Sequence, residues 1–364
     1  MTAGTSTLTS QDFTARLLGL LNSGMLTPMI GIGHRTRLFD VMATLPPSSS
    51  LEIAEAAGLD ERYVREWLGA MSTGGIVDHD PASLTFVLTR EHVGAVTRAA
   101  GSGNLAAMAQ WVGLLAQVED NVVDCFHHSG GVPYGAFPER LWAVEAEASG
   151  VGYDADLVKV TLALVPGLVE RLRTGIDVAD VGCGSGHAVN LMAQSFPASH
   201  FVGLDVSEPA LAAARAESEK LGVTNATFVQ QDAASLDGRE RYDFITTFDS
   251  VHDQARPDLV LAGIARWLRR GGVYLCVDMS ASSTLAENIS HPIGPFLYTA
   301  SCLHCMTVSL AEGGMGLGAM WGEQLALQML AEAGFTSVEV AHVEGDIVNN
   351  YYVATKGQNS SVLI

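Results

Sequence analysis

The sequence has 364 residues, of which 48% are hydrophobic and 16% charged, and its formal net charge is −20. Binding a phosphate backbone needs the opposite charge balance, so the composition disfavours nucleic acid as a partner or substrate. No uninterrupted apolar run of about twenty residues predicts a membrane span, no N-terminal pattern predicts a signal peptide, and the five cysteines fit reduced thiols in a cytoplasmic protein.

The first hundred residues predict a helical domain that ends in a small hairpin. Phe13–Leu45 is rich in Leu, Met and Ile and predicts two helices broken around Pro28. Gly31 and Gly33 follow no strand, so they are interpreted as helix-packing positions. The elements that follow have the order of a winged helix: a helix over Leu51–Ala57 ended by Gly58, a helix over Glu61–Met71 capped by Asp60, and strands over Ile76-Val77 and Leu84–Leu88.

The second helix of this predicted winged helix does not favour DNA binding. It contains Glu61, Arg62, Arg65 and Glu66, whose charges cancel. We therefore expect a domain over residues 1–100 that mediates dimerisation rather than DNA recognition. The strongly apolar Phe13–Leu45 segment supports a homodimer, because one subunit alone would expose it.

Residues 101–150 predict a helical connector. Asn104–Val123 has the period of a helix, and the pair His127-His128 is placed in an exposed loop rather than in a metal site. Tyr134–Trp142 is aromatic and interrupted by proline. Helical period returns over Asp154–Arg173.

A glycine-rich turn follows this connector and organises the rest of the chain. Ile176–Val181 is a short apolar run that predicts a buried parallel strand. Three glycines at alternate positions, Gly182, Gly184 and Gly186, lead directly into a predicted helix over His187–Phe196. A dinucleotide-binding loop would need its third glycine at position 187, so the spacing disfavours an NAD oxidoreductase.

Strands and helices then alternate to the end of the chain. The predicted strands are Phe201–Val206, Ala226–Gln231, Tyr242–Phe248, Val273–Val277, Val338–His342 and Tyr351–Ala354, and the predicted helices are Glu208–Leu221, Asp258–Arg270 ended by Gly271-Gly272, and Glu323–Gly334. This alternation predicts an α/β fold with a mostly parallel, Rossmann-like sheet and a terminal antiparallel hairpin.

Four acids stand at the carboxyl ends of predicted strands, where ligands of open parallel sheets bind. They are Asp180, Asp205, Asp232 and Asp249. Asp205 lies at the position from which a carboxylate accepts hydrogen bonds from both hydroxyls of a ribose. NAD enzymes use the same contact, so Asp205 alone does not identify the cofactor.

The run from Asp180 through the three glycines resembles motif I of the class I S-adenosylmethionine (SAM) methyltransferases. The resemblance implies that Gly182, Gly184 and Gly186 wrap the cofactor and that Asp180 faces its methionine ammonium. It also implies that Asp205 binds the ribose and that Asp232 and the backbone of Ala233 contact the adenine. Asp249, the fourth acid at a strand end, is expected to be a cofactor-binding residue as well. In related enzymes the connector supplies aromatic groups to the cofactor, for which Tyr134 is the candidate here.

Two short stretches, Asp249-x-x-His252-Asp253-Gln254 and Leu303-His304-Cys305-Met306, resemble those of actinobacterial winged-helix methyltransferases. Residues 248–257 follow the fourth strand, where the family places the transferring methyl group, so His252 and Asp253 are the candidate base and its neighbour. The insertion over residues 280–320 is interpreted as a substrate cap in the domain 151–364, with His304 as a second candidate base. Cys302 and Cys305 lack a second ligand pair of matching spacing, so no metal is expected.

The leading hypothesis is a cytoplasmic, homodimeric enzyme that transfers a methyl group from SAM to an oxygen, nitrogen or sulfur atom of a small molecule. The alternative is a non-catalytic SAM-binding regulator that uses the winged helix on DNA, which the charge balance disfavours.

Overall fold

The computed structural model describes residues 9–357. The chain divides into two compact units. The first consists of the residues up to Leu114 together with Arg140–Ala148, and the second consists of Leu115–Glu139 together with the chain from Ser149 onward. Among the described residues, no helix is both long and apolar enough to cross a bilayer.

The first unit is helical and carries a two-stranded antiparallel hairpin. Its helices are α1 (Ser10–Arg35), α2 (Leu38–Met42), α3 (Ser50–Ala57), α4 (Glu61–Thr73), α5 (Arg90–Val96) and α6 (Leu105–Leu115), and its hairpin pairs β1 (Asp78–Asp80) with β2 (Thr85–Val87). As predicted, Gly58 ends α3 in the left-handed conformation, and the Asp60 carboxylate caps α4.

The expected break at Pro28 is wrong, because α1 runs through it. A proline inside a helix removes one backbone hydrogen bond, but packing against α4 holds this part of the helix in place. The indole nitrogen of Trp67 donates to the carbonyl of Met29 at 2.8 Å. Gly33 is confirmed as a packing position, since a Cβ there would lie 2.5 Å from the Trp67 ring.

The first hairpin strand also differs from its prediction. It occupies Asp78–Asp80, which the sequence analysis assigned to the turn, and all three of its residues are exposed. The residues expected to form it, Ile76 and Val77, instead turn inward, and Val77 is buried in the core of this unit. Burial of the apolar pair therefore shifts the strand by two residues.

The second unit contains a seven-stranded sheet. Its strands are β3 (Asp177–Val181), β4 (His200–Asp205), β5 (Ala226–Gln230), β6 (Tyr242–Phe248), β7 (Leu268–Met279), β8 (Ser337–Ala341) and β9 (Asn349–Thr355). They lie in the order β5-β4-β3-β6-β7-β9-β8, and β9 runs in the opposite direction to the other six. This confirms the predicted Rossmann-like sheet and its terminal hairpin.

Helices cover both faces of this sheet. Successive residues of β3 point to opposite sides, so Val178 and Ala179 belong to two different apolar cores. Residues of α9 (Leu168–Thr174) and α10 (His187–Ser195) belong to one core, and residues of α12 (Pro257–Trp267) and α16 (Gly322–Glu332) belong to the other. The remaining helices of this part of the chain are α7 (Glu119–His128), α8 (Arg140–Gly152, of which Arg140–Ala148 lies in the first unit), α11 (Glu208–Leu221), α13 (Leu285–Asn288), α14 (Gly294–Ala300) and α15 (Met306–Ala311). Helical turns over Tyr153–Thr161 and Ser301–Cys305 have wider, π-type spacing.

Two helix ends differ from the sequence analysis. His127 and His128 lie in the last turn of α7 and not in a loop. Helix α12 ends at Trp267, and the pair Gly271-Gly272, predicted to end it, lies inside β7. Gly271 has φ +73°, and the register between β6 and β7 shifts beside this pair, so the glycines allow an irregularity within a strand rather than ending a helix.

Candidate active site

The glycine-rich loop joins β3 to α10 at the carboxyl edge of the sheet. All three glycines have positive φ, which residues with a Cβ rarely adopt. A Cβ on Gly182 would lie 2.7 Å from Ser250, and one on Gly186 would lie 2.5 Å from Ala214 and Phe228. At Gly184, by contrast, no described atom lies within 4 Å of the added carbon, so the loop presents bare backbone to open space there.

Two of the four predicted acids flank this loop. The carboxylate of Asp180 is 2% exposed and accepts a hydrogen bond from the Thr246 hydroxyl at 2.8 Å. Burial raises the pKa of Asp180 to about 7, and the nearby charge of Asp205 acts in the same direction. Asp205 accepts from the backbone N–H of Gly184 and from that of Ser207, each at 2.8 Å, which fixes its carboxylate beside the loop.

The other two acids occupy the neighbouring strand ends. The Asp232 side chain accepts from the N–H of Ala234 at 2.8 Å and caps a single 3₁₀ turn that contains the buried Ala233. Asp249 follows β6 with φ +51° and donates its backbone N–H to Val277 at 2.9 Å. Burial raises the pKa of Asp249 to about 7, with Asp278 adding to the shift.

Asp249 is left with unused hydrogen-bonding capacity. Within residues 9–357, no group bonds to its buried Oδ1. A buried carboxylate oxygen without a donor is unfavourable, so this position is suited to a cationic or donor group of a ligand.

His252 lies between two carboxylates just beyond β6. It is 2% exposed, its Nδ1 is 2.7 Å from Oδ1 of Asp278, and its Nε2 is 3.2 Å from Oδ1 of Asp253. Burial by itself would lower the pKa of His252, but the charges of Asp278 and Asp253 outweigh it and hold the pKa well above its ordinary value. The same Asp278 oxygen accepts from the Trp321 indole at 3.0 Å, which fixes the orientation of the carboxylate.

Tyr134 and His304 lie on the other side of Asp253. The Tyr134 hydroxyl is 3.5 Å from Oδ2 of Asp253, and the His304 ring packs edge-on against Tyr134 and Phe137. Burial lowers the pKa of His304, the opposite shift to that of His252. Cys305 also contacts this group, and burial raises the pKa of its thiol to about 12.

The structure thus places the predicted residues in two groups: the glycine loop with Asp180 and Asp205, and His252 with Asp253, Tyr134 and His304. Their functional roles remain predictions. Sequence analysis missed Asp278, the residue that directly follows the predicted fifth strand and that orients His252. It is a fifth acid at a strand end, so the rule that selected the other four would have found it. Tyr153, whose ring packs edge-on against Phe248 and which lies near Asp249 and Asp180, has no comparable sequence pattern that would have identified it.

The residues beside the glycine loop fit SAM. Its ammonium and sulfonium are cationic, and the site offers them the buried carboxylate of Asp180 and the enclosed Oδ1 of Asp249. The open space at Gly184 is a cradle that a Cβ would occupy, and the Asp205 carboxylate, which is not fully buried, has further lone pairs for ribose hydroxyls.

The sheet order, the antiparallel β9 and the glycine loop after β3 define the class I methyltransferase fold. Comparison with family models agrees: residues 24–98 match the Rv2258c-like winged HTH domain, and residues 172–334 match a methyltransferase domain. The chain therefore carries a methyltransferase domain preceded by a winged HTH domain.

Curated relatives match only parts of the chain. A fatty-acid O-methyltransferase of Mycolicibacterium smegmatis is 32% identical over 29% of this chain and 37% of its own length. A malonyl-[acyl-carrier protein] O-methyltransferase of Methylococcus capsulatus is 30% identical over 43% of this chain and 57% of its own length. The chain therefore spans less than two thirds of these relatives.

Solved structures match nearly the whole chain in fold. Human N-acetylserotonin methyltransferase, solved in complex with SAM, has a TM-score of 0.70 at 16% identity and covers 96% of this chain and 99% of its own. An O-methyltransferase family protein from Burkholderia thailandensis has a TM-score of 0.62 at 15% identity, covering 95% and 98%. At these identities the likeness concerns the fold.

Proposed function

We propose that this protein is an enzyme that transfers a methyl group from SAM to an oxygen, nitrogen or sulfur atom of a small molecule. The observation that supports this most directly is the buried carboxylate of Asp180 together with the partly buried carboxylate of Asp249, whose Oδ1 is enclosed, at the strand ends beside an open glycine loop. Buried acids without a cation destabilise a fold. A cationic cofactor that neutralises them explains why they are there.

Bound SAM supplies an electrophilic methyl group, and the chain's residues do the positioning. The glycine loop approaches the cofactor with backbone alone, Asp180 and Asp249 face its positive charges, and Asp205 and Asp232 with Ala233 hold its ribose and adenine. Tyr134 forms part of the wall near the acceptor. Holding the acceptor atom in line with the methyl group removes much of the entropic barrier to transfer.

His252 is the proposed general base for a hydroxyl acceptor. Asp278 fixes Nδ1 at 2.7 Å, and Nε2 lies 3.2 Å from Oδ1 of Asp253. His252 acts as a base in its neutral form, which the two carboxylates make less populated because they raise its pKa. A base oriented by a carboxylate in this way contributes roughly 10²–10⁴-fold to rate. His304, whose pKa is lowered by burial, is proposed as an acceptor contact and as the second candidate base.

The charges around the site favour a neutral or cationic acceptor over a carboxylate. The groups that act on Asp249 are Asp278, His252, Asp346 and Asp253, and among these four only His252 can be positive. An anionic acceptor would meet repulsion from several carboxylates at once. Phenols, alcohols, amines and thiols are therefore the proposed acceptor classes.

We further propose a cytoplasmic homodimer assembled through α1. This helix exposes a set of large apolar side chains, each between 42% and 77% accessible: Phe13, Leu17, Leu18, Leu20, Leu21, Met25 and Ile32. A second copy of the helix would cover them. DNA is a poor alternative partner, because Arg62 pairs with Glu66, and Arg65 with Glu61, within α4.

A labelled-methyl assay tests the catalytic proposal. The protein is incubated with methyl-labelled SAM and a panel of phenols, amines, thiols and carboxylic acids, and products are analysed by mass spectrometry. We expect a gain of one methyl on a member of the first three classes. A Gly184→Val variant serves as control, since its side chain would fill the open space at the loop. If the protein binds SAM but methylates no compound of the panel and no component of a cell extract, the result would instead support a non-catalytic SAM-binding regulator.

A further inference from the structure

Three potential metal ligands meet beside the candidate base. The ring nitrogen of His252, a carboxylate oxygen of Asp253 and the sulfur of Cys305 all lie within 4.8 Å of one another. His252 is 2% exposed, Cys305 is 8% exposed, and the Asp253 side chain is 15% exposed. The group therefore lies largely out of solvent.

The spacing is close to that of a tetrahedral site. Metal–ligand distances of about 2.0–2.1 Å to nitrogen and oxygen and about 2.3 Å to sulfur place neighbouring ligand atoms roughly 3.3–3.6 Å apart. Nε2 of His252 and Oδ1 of Asp253 are already 3.2 Å apart. The Cys305 sulfur lies within 4.8 Å of both atoms, so it would move inward by at most roughly 1.3 Å to complete three corners.

The surroundings of His252 resemble those of a ligand histidine. Such residues commonly donate their second ring N–H to a carboxylate, which fixes the ring and leaves the other nitrogen for the metal. Here the Nδ1 partner is Asp278, itself fixed by the indole of Trp321. In addition, Oδ1 of Asp253 is buried and, within residues 9–357, lacks a partner of hydrogen-bond geometry, although Nε2 of His252 lies 3.2 Å away, so a cation between the two atoms would satisfy both.

We propose that His252, Asp253 and Cys305 bind one thiophilic divalent cation, with Zn²⁺ as the expected ion and the fourth position left open. A thiolate and an imidazole select zinc over the hard cations magnesium and calcium. Binding replaces the thiol proton of Cys305 and the proton on Nε2 of His252, and both are released to solvent. The cation occupies Nε2 of His252, so it blocks proton transfer at that nitrogen and acts as a reversible inhibitor of methyl transfer.

This site differs from the cysteine pair that the sequence brings to notice. Cys302 is three residues before Cys305 but is not one of the three clustered ligands. The His304 ring packs against Tyr134 and Phe137. Cys302 therefore provides a matched control for Cys305 within the same helical segment.

Cobalt(II) is the probe for the intact, metal-free chain, because cobalt bound by a thiolate gives a charge-transfer band in the near ultraviolet. We expect one cobalt per chain, the charge-transfer band, and its displacement by zinc. Cys305→Ser should lose the band and weaken cobalt binding at least about tenfold, since even outer-shell substitutions cost about 10–100-fold. Cys302→Ser should bind as the unsubstituted protein does.

Asp253→Asn is the second test and replaces a ligand without changing its size. It should keep the thiolate band but bind cobalt about tenfold more weakly. The proposal is overturned if the intact chain shows no thiolate band, if Cys305→Ser retains it, or, should Cys305→Ser fail to fold by circular dichroism, if Asp253→Asn binds cobalt unchanged. None of these readouts needs methyl transfer. Failure of the metal proposal can therefore be told apart from failure of the proposed enzymatic function, although the inhibitory effect of the cation rests on that function.

Discussion

Replacing Asp180 by asparagine should stabilise the ligand-free protein at alkaline pH while weakening SAM. Burial raises the pKa of Asp180 from 3.8 to about 7. Between these values the folded chain keeps a proton that the unfolded chain has lost, so the contribution of this group to the free energy of unfolding falls as pH rises from about 4 to about 7. Asparagine stays neutral and removes that cost.

The size of the gain follows from the same shift. At about 1.4 kcal/mol for each tenfold change, the ceiling is about 4 kcal/mol at pH 8. The amide keeps the bond from the Thr246 hydroxyl but adds an N–H that needs a partner, so we expect about 1–2 kcal/mol. For a unit of this size that corresponds to about 2–4 °C in Tm per kcal/mol.

Thermal unfolding without SAM at pH 5 and pH 8 provides the measurement, together with calorimetric titration of SAM at pH 8. The substitution should raise Tm at pH 8, give a smaller gain at pH 5, where only part of the cost has developed, and lower SAM affinity by about tenfold or more. Asp237→Asn, at an exposed carboxylate, is the control and should change neither. If Asp180→Asn lowers Tm at pH 8, or binds SAM normally, the electrostatic interpretation of the site is incorrect.

Three further predictions concern the cofactor, the base and the dimer. Asp205→Ala should weaken SAM by about tenfold or more in calorimetry, because it removes charge-assisted hydrogen bonds to ribose worth roughly 1.5–3 kcal/mol each; unchanged affinity would mean that the loop binds something else. His252→Ala should lower kcat by roughly 10²-fold in single-turnover transfer to a hydroxyl acceptor while SAM affinity stays near wild type. A wild-type rate would mean that His304 is the base, which His304→Ala tests in the same assay, or that the acceptor needs no base. Leu17→Glu with Leu21→Glu, both at exposed sites on α1, should convert a dimer to a monomer in sedimentation velocity, and a monomeric unsubstituted chain would refute the dimer.

The strands of the sheet could be predicted from the sequence because burial on both faces requires apolar residues along each strand. Parallel strands covered on both faces are short apolar runs between turn residues, and β6 was predicted with its observed ends. Acids at strand ends could be found for the same reason. Pro28 and the Gly271-Gly272 pair were misread because local propensity was overruled by tertiary packing and by strand pairing.

The approach of Cys305 to His252 could not be predicted from the sequence. The two residues are far apart in the chain, and their meeting depends on how the short helices of the insertion pack over the end of β6. No periodic pattern encodes that packing. The pattern visible in the sequence was the pair Cys302 and Cys305. In the structure Cys305 is one of the three clustered ligands, and Cys302 is not.

The division of the chain has a consequence for recombination between relatives. Leu115–Glu139 belongs to the second unit, although Arg140–Ala148 returns to the first. Tyr134 and Phe137, which pack on His304, therefore precede part of the N-terminal unit in the chain. A chimaera joined at a single point near residue 150 would combine His304 of one parent with Tyr134 and Phe137 of the other. Exchange of the whole second unit needs three junctions, so a single crossover cannot transfer it intact.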